Sequence, residues 1–186
     1  MEALAKAGCR LIQLRAKELT SGAFHEWALE GVERAQSLGA RVVINDRLDI
    51  ALTTGAAGVH LGQDDLSPHS ARRILGPDAI IGFSTHSMGQ AAEAEAMPVD
   101  YVAVGPVYTT PTKQTEVEPF GPQGVARVRK VVHKPLVAIG GITLDNGAAV
   151  LESGADALAM ISALMTADDL ESTARNLMDK LVSDRH

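Results

Sequence analysis

In the run QLRAK, an extended backbone turns Gln13, Arg15 and Lys17 to one side. Two cations and an amide at a strand mouth suit an anionic, hydrogen-bonding ligand such as a diphosphate. A solvated strand end is the competing assignment. Asn45-Asp46 closes a second apolar run, and Asp64-Asp65 lies just past a third. Neighbouring parallel strands sit about 4.8 Å apart, so carboxylates on successive tips can share one hard cation, Mg²⁺ being the natural occupant of so sparse a cage. Asp46 and Asp65 are assigned to the metal. Asp64 is assigned to helix capping, because Leu66-Ser67-Pro68 looks like a helix start. Thr110, Thr112 and Lys113 add two hydroxyls and an ammonium in a segment running to about Phe120. A long rim loop is more often functional than idle, although this one also reads as a solvated charged loop.

Gly140-Gly141 closes a sixth apolar run and MISA (160–163) the last. In phosphate-binding barrels, backbone N–H groups at such strand ends cradle a monophosphate; a plain tight turn is the alternative for the glycine pair. The histidines do not form a metal site. His60 lies inside an apolar run and reads as packed or hydrogen-bonded, while His86 either touches a ligand or orders the rim. Cys9 reads as an inert residue early in its strand, and Phe24 and Trp27 as the apolar face of a helix.

Positioning these residues requires a strictly alternating chain. Strand-like runs fall at 10–15, 41–46, 58–62, 79–84, 101–107, 135–141 and 157–162. They are apolar at nearly every position, as expected where both sheet faces are covered. Helix-like stretches fall between them at 22–38, 49–54, 68–75, 88–97, 122–132 and 144–153, and a last one spans 168–182. Gly39, Gly55, Gly76 and Gly154 mark helix ends. Such alternation implies right-handed crossovers and a parallel sheet. No G-x-G-x-x-G follows the first strand, and polar residues crowd at nearly every strand end, which favours a (β/α)8 barrel over an open sheet. The opening EALAKAG reads as a helix, so the expected fold is one barrel domain over residues 1–186 that lacks the first β-strand.

Composition narrows the function classes. The chain has 186 residues, 46% hydrophobic and 3% aromatic, so an aliphatic core is expected. A net charge of −6 without basic runs argues against nucleic-acid or anionic-membrane partners. One cysteine excludes an internal disulfide and a cysteine-based zinc cluster. There is no run of roughly 18 apolar residues and no signal-peptide pattern, so a cytoplasmic location is expected.

The ordered set QLRAK, NDRLDIA, GVHLGQDDL, IGFSTH, VGPVYTTPTK, VAIGGI and MISA closely resembles the thiamine phosphate synthase family, over about residues 3–182. The resemblance implies a Mg²⁺-dependent transferase that joins an aminopyrimidine diphosphate to a thiazole phosphate and releases pyrophosphate. By that resemblance Gln13, Arg15 and Lys17 hold the pyrimidine diphosphate, with Asn45 beside its phosphates, and Asp46 and Asp65 bind Mg²⁺. Ser84 contacts the pyrimidine side, and Thr110, Thr112, Gly141, Ile161 and Ser162 meet the thiazole phosphate. Lys113 grips the departing pyrophosphate, and Lys113, Arg15 and Ser84 are the expected catalytic residues. The implied mechanism is dissociative, with the bond to diphosphate breaking before the thiazole nitrogen attacks. A thiazole tautomerase-like relative, an inactive ligand-binding barrel and a homo-oligomer are the alternatives kept open.

Overall fold

The computed structural model describes residues 1–110 and 118–183. It opens with a short helix, α1 (Glu2–Lys6), followed by β1 (Leu11–Leu14) and α2 (Ser21–Ser37). Next come β2 (Arg41–Asn45), α3 (Leu48–Thr53), β3 (Gly58–Leu61), α4 (Pro68–Leu75), β4 (Ile80–Thr85) and α5 (Met88–Glu95). The second half contains β5 (Tyr101–Val104), α6 (Gly121–Arg129), β6 (Leu136–Ile139), α7 (Gly147–Glu152) and β7 (Ala157–Ala159). It ends with α8 (Ser162–Met165) and α9 (Leu170–Ser183).

The strands form one seven-stranded parallel sheet in the order β1-β2-β3-β4-β5-β6-β7. Among the described residues β1 and β7 are not hydrogen-bonded to each other, so the fold is a TIM-barrel-like sheet short of one strand, as expected. Burial follows from that opening. In β1 Ile12 and Leu14 are buried toward the helices while Leu11 and Gln13 are exposed; β3 and β5, deep in the sheet, are buried throughout. One aliphatic core joins the outward strand residues Val42, Ile44, Val59, Leu61, Ile81, Val102, Val104 and Leu136 to helix residues such as Ala28, Val32, Ala71, Ala91 and Val125. Burying a Val, Ile or Leu side chain contributes about 1.5–3 kcal/mol, so this layer supplies most of the driving force.

Two matching clips tie helices to strands at the end opposite the strand tips. Asp100 Oδ2 lies 2.6 Å from Arg72 Nη2 of α4 and accepts the Ile81 N–H at 2.7 Å. Asp156 Oδ2 lies 2.8 Å from Arg129 Nη1 of α6 and accepts the Leu136 N–H at 2.7 Å. Each carboxylate satisfies a backbone donor where a strand begins.

Three expectations need correction. The last run is a strand only over Ala157–Ala159; Ile161 leaves the extended region (φ −121°, ψ −69°), and α8 begins at Ser162. Asp64 does not cap α4: Ser67 does, its hydroxyl accepting the Ser70 N–H at 3.2 Å with Pro68 in the first turn. Cys9 precedes β1 rather than lying in it, half-buried with its sulfur 3.8 Å from Met178 Sδ.

Candidate active site

The strand tips bring together the first group of residues singled out in the sequence. Arg15 and Lys17 follow β1 and Asn45 ends β2; with Ala16, Leu19, Phe24, Asp46 and Arg47 they line a cavity of about 160 Å³. Arg47 was not anticipated as a wall of this cavity. It is committed to structure, lying 2.5 Å from Asp49 Oδ2 and donating to Ser21 Oγ at 3.0 Å, which fixes the start of α3 against α2.

Asp46 adopts φ 60°, a left-handed conformation unusual outside glycine and best tolerated by Asp and Asn. Its N–H still donates to His60 O at 2.8 Å, so the β2–β3 ladder extends through it. Asp65 is held by the turn after β3, where its Oδ2 accepts the Gly62 N–H at 2.7 Å. The two carboxyls lie close enough to influence each other. Burial first, then the Asp65 hydrogen bond and charge, push the Asp46 carboxyl above its ordinary value, while Lys17 and Arg15 pull the other way. Two facing oxygen ligands near two cations form a site that needs either a shared proton or a hard cation, and this chemistry fits Mg²⁺. Among the described residues no cluster of three or more His, Cys, Asp or Glu is present.

Deeper in the mouth, Ser84 of β4 bonds through Oγ to His60 Nε2 at 2.8 Å, and its carbonyl accepts from Gln63 Nε2 at 2.5 Å. His60 Nδ1 lies 2.8 Å from the Tyr101 hydroxyl, and the two rings stack with centroids 5.5 Å apart. His60 is thus hydrogen-bonded inside the fold, as its position in an apolar run suggested. The role of Tyr101 was missed, although its hydroxyl lies near the Gln13 side chain across the sheet. Burial drives the Tyr101 phenol well above its ordinary pKa, partly opposed by that Gln13 contact. His86 orders the rim, with Nδ1 2.7 Å from Gly105 O.

The second group lies on the far side of the rim. Gly141 follows β6 with φ 64°, and a Cβ there would lie 2.6 Å from Thr109 O and 2.7 Å from Tyr108 Cβ. Its carbonyl accepts from Asn146 Nδ2 at 3.0 Å. Glycine therefore lets the end of β6 sit directly against the segment leading to Thr110. Ile161 and Ser162, both exposed, follow the adjacent β7, which pairs with β6 through Ile139 and Ala159. Thr112 and Lys113 lie outside the described residues.

Comparison with known proteins agrees with this fold. The family model described as thiamine monophosphate synthase matches residues 1–164. The bifunctional thiamine biosynthesis protein ThiM/ThiE of Symbiobacterium thermophilum is 46% identical over 181 residues, 97% of this chain, which spans only 38% of that longer protein. The thiamine-phosphate synthase of Syntrophomonas wolfei is 46% identical over 172 residues, covering 92% of this chain and 82% of that protein. Among solved structures, a thiamine phosphate pyrophosphorylase from Pyrococcus furiosus superposes with a TM-score of 0.91 at 32% identity, covering all of this chain and 89% of the other. On sequence and on architecture alike, the chain belongs to the thiamine monophosphate synthase family.

Proposed function

We propose that this transferase condenses 4-amino-2-methyl-5-(diphosphooxymethyl)pyrimidine with 4-methyl-5-(2-phosphooxyethyl)thiazole to give thiamine phosphate and pyrophosphate. The observation that carries this reading is the convergence of Arg15 and Lys17 with the Asp46–Asp65 pair at the tips of β1, β2 and the turn after β3. Cations beside a carboxylate pair are the donor set that a diphosphate with its metal requires.

In this reading Gln13, Arg15, Lys17 and Asn45 bind the pyrimidine diphosphate, and Asp46 and Asp65 would hold Mg²⁺. That ion would neutralise charge on the leaving diphosphate. Arg15 and Lys17 stabilise the same developing charge from the protein side, with Lys113 as the third cation on the departing pyrophosphate. Ser84 orients the pyrimidine. The carbon–oxygen bond to diphosphate breaks with its electron pair leaving on oxygen, and the thiazole nitrogen supplies the pair that forms the new carbon–nitrogen bond. That nitrogen carries no proton to lose, so no general base is required. Thr110, Thr112, Gly141, Ile161 and Ser162 hold the thiazole phosphate opposite.

The deciding experiment incubates the chain with both substrates, with each alone, and with Mg²⁺ or chelator, following thiamine phosphate and pyrophosphate. Product that depends on both substrates and metal is expected. Isomerisation of the thiazole alone supports a tautomerase-like activity instead, and binding without product supports a ligand-binding barrel.

A further inference from the structure

We propose that Arg47 is a positioning residue whose guanidinium clamps the strained turn at Asp46 and so keeps that carboxyl set for a divalent cation. Arg47 is not the residue that helix chemistry would choose here. It occupies the N-cap of α3, where Ser, Thr, Asp and Asn are preferred because their side chains accept a backbone N–H. The Arg47 side chain makes no such bond, and a cation at a helix start opposes the helix dipole. A residue that breaks a local rule is expected to serve a need elsewhere.

That need lies one residue upstream. The Arg47 N–H donates to Asn45 O at 2.7 Å, closing a three-residue turn around Asp46. With φ 60° at its centre this is the rarer, strained form of such a turn, and strain of this kind persists only where the surroundings hold it. On one side the Asp46 N–H is fixed by His60 O of β3. On the other, the Arg47 side chain supplies the anchor. Its Nε donates to Asp49 Oδ1 at 2.8 Å and its Nη2 to Asp49 Oδ2 at 2.5 Å, a two-pronged fork. Nη1 reaches Ser21 Oγ at 3.0 Å, 26 positions away. Ser21 opens α2 directly after the segment carrying Arg15 and Lys17, so one guanidinium ties the cationic wall of the cavity to the wall that holds Asp46. That Asp46 takes a cation rests on the function proposed above.

Charge alone and positioning predict opposite signs. Deleting a bystander cation beside a divalent-cation site tightens binding, because a like charge is gone; deleting a positioning residue loosens it. Mn²⁺, a spectroscopic stand-in for Mg²⁺, is titrated into the full chain without substrates while electron paramagnetic resonance follows the free ion. Arg47→Met is expected to bind Mn²⁺ about tenfold more weakly than the parent. Arg47→Lys keeps the charge but cannot make the fork and reach Ser21 together, so it is expected to lose affinity too. Unchanged or tighter binding in either variant overturns the proposal, and if Arg47→Met fails to fold, Arg47→Lys decides alone. No Mn²⁺ binding by the parent, or binding that Asp46→Asn leaves intact, overturns it as well. Weaker Mn²⁺ binding in the variants, with no thiamine phosphate formed by the parent, would sink the proposed reaction and leave the clamp standing. Product formation by the parent with unaltered Mn²⁺ binding in the variants would do the reverse.

Discussion

Asp46 concentrates the site's conflict in one residue: a left-handed backbone, a half-buried carboxyl and a second carboxyl beside it. Its pKa is raised in the fold, so the apo protein gains from Asp46 at acid pH and loses that gain as pH climbs from the ordinary aspartate value through the raised one. Asp46→Asn keeps a side chain that tolerates this backbone and removes the repulsion. In chelator at neutral pH, its melting temperature is expected to equal or exceed that of the parent. Mg²⁺ is expected to raise the parent's melting temperature but not the variant's, with the parent's increment shrinking as pH falls through the Asp46 titration. Equal Mg²⁺ responses in thermal melts would remove the metal from this pair. Gly141→Ala is a different kind of test, since it needs both an unfavourable φ and space taken by Thr109 and Tyr108. Urea titration is expected to register a loss of about 2 kcal/mol. The carboxylate pair could be read from sequence because each Asp follows its own apolar run. The His60–Tyr101 contact could not be, because it joins residues 41 positions apart and exists only once β3, β4 and β5 pair in a fixed register.

At the scale of elements, the strand tips carry the candidate site and the opposite ends carry clips. Asp100→Ala removes the Arg72 partner and strands the buried Ile81 N–H, so a stability loss of about 1–3 kcal/mol in urea is expected with kcat unchanged. A kcat that falls with stability held constant would mean that the clip reaches the site. Every strand fell within or close to its expected run, because apolar runs bounded by glycine and polar residues are the mark of a sheet covered on both faces. Boundaries were less legible. The chain leaves β7 after Ala159 because Ile161 turns into α8, a backbone change that apolar MISA does not signal. Ser67 took the capping position from Asp64 because Pro68 sets the helix start immediately after it.

For the whole molecule, a net charge of −6 coexists with a locally cationic stretch of rim, because Arg15 and Lys17 line one cavity there. Burial grades outward from the middle of the sheet: β3 and β5 are covered throughout, whereas Leu11 of β1 and Ala157 of β7 are exposed. Amide hydrogen exchange is therefore expected to be slowest in β3–β5 and fastest in β7 and α8; uniform protection across all seven strands would contradict this gradient. The order of strands in the sheet is also their order along the chain, which bears on how the molecule forms. Each pairing joins consecutive βα units, so every step closes a loop about one helix long and none waits for a distant strand. The sheet can start at any neighbouring pair and grow outward by accretion. Its frayed margins are then the last parts to assemble and the first to open.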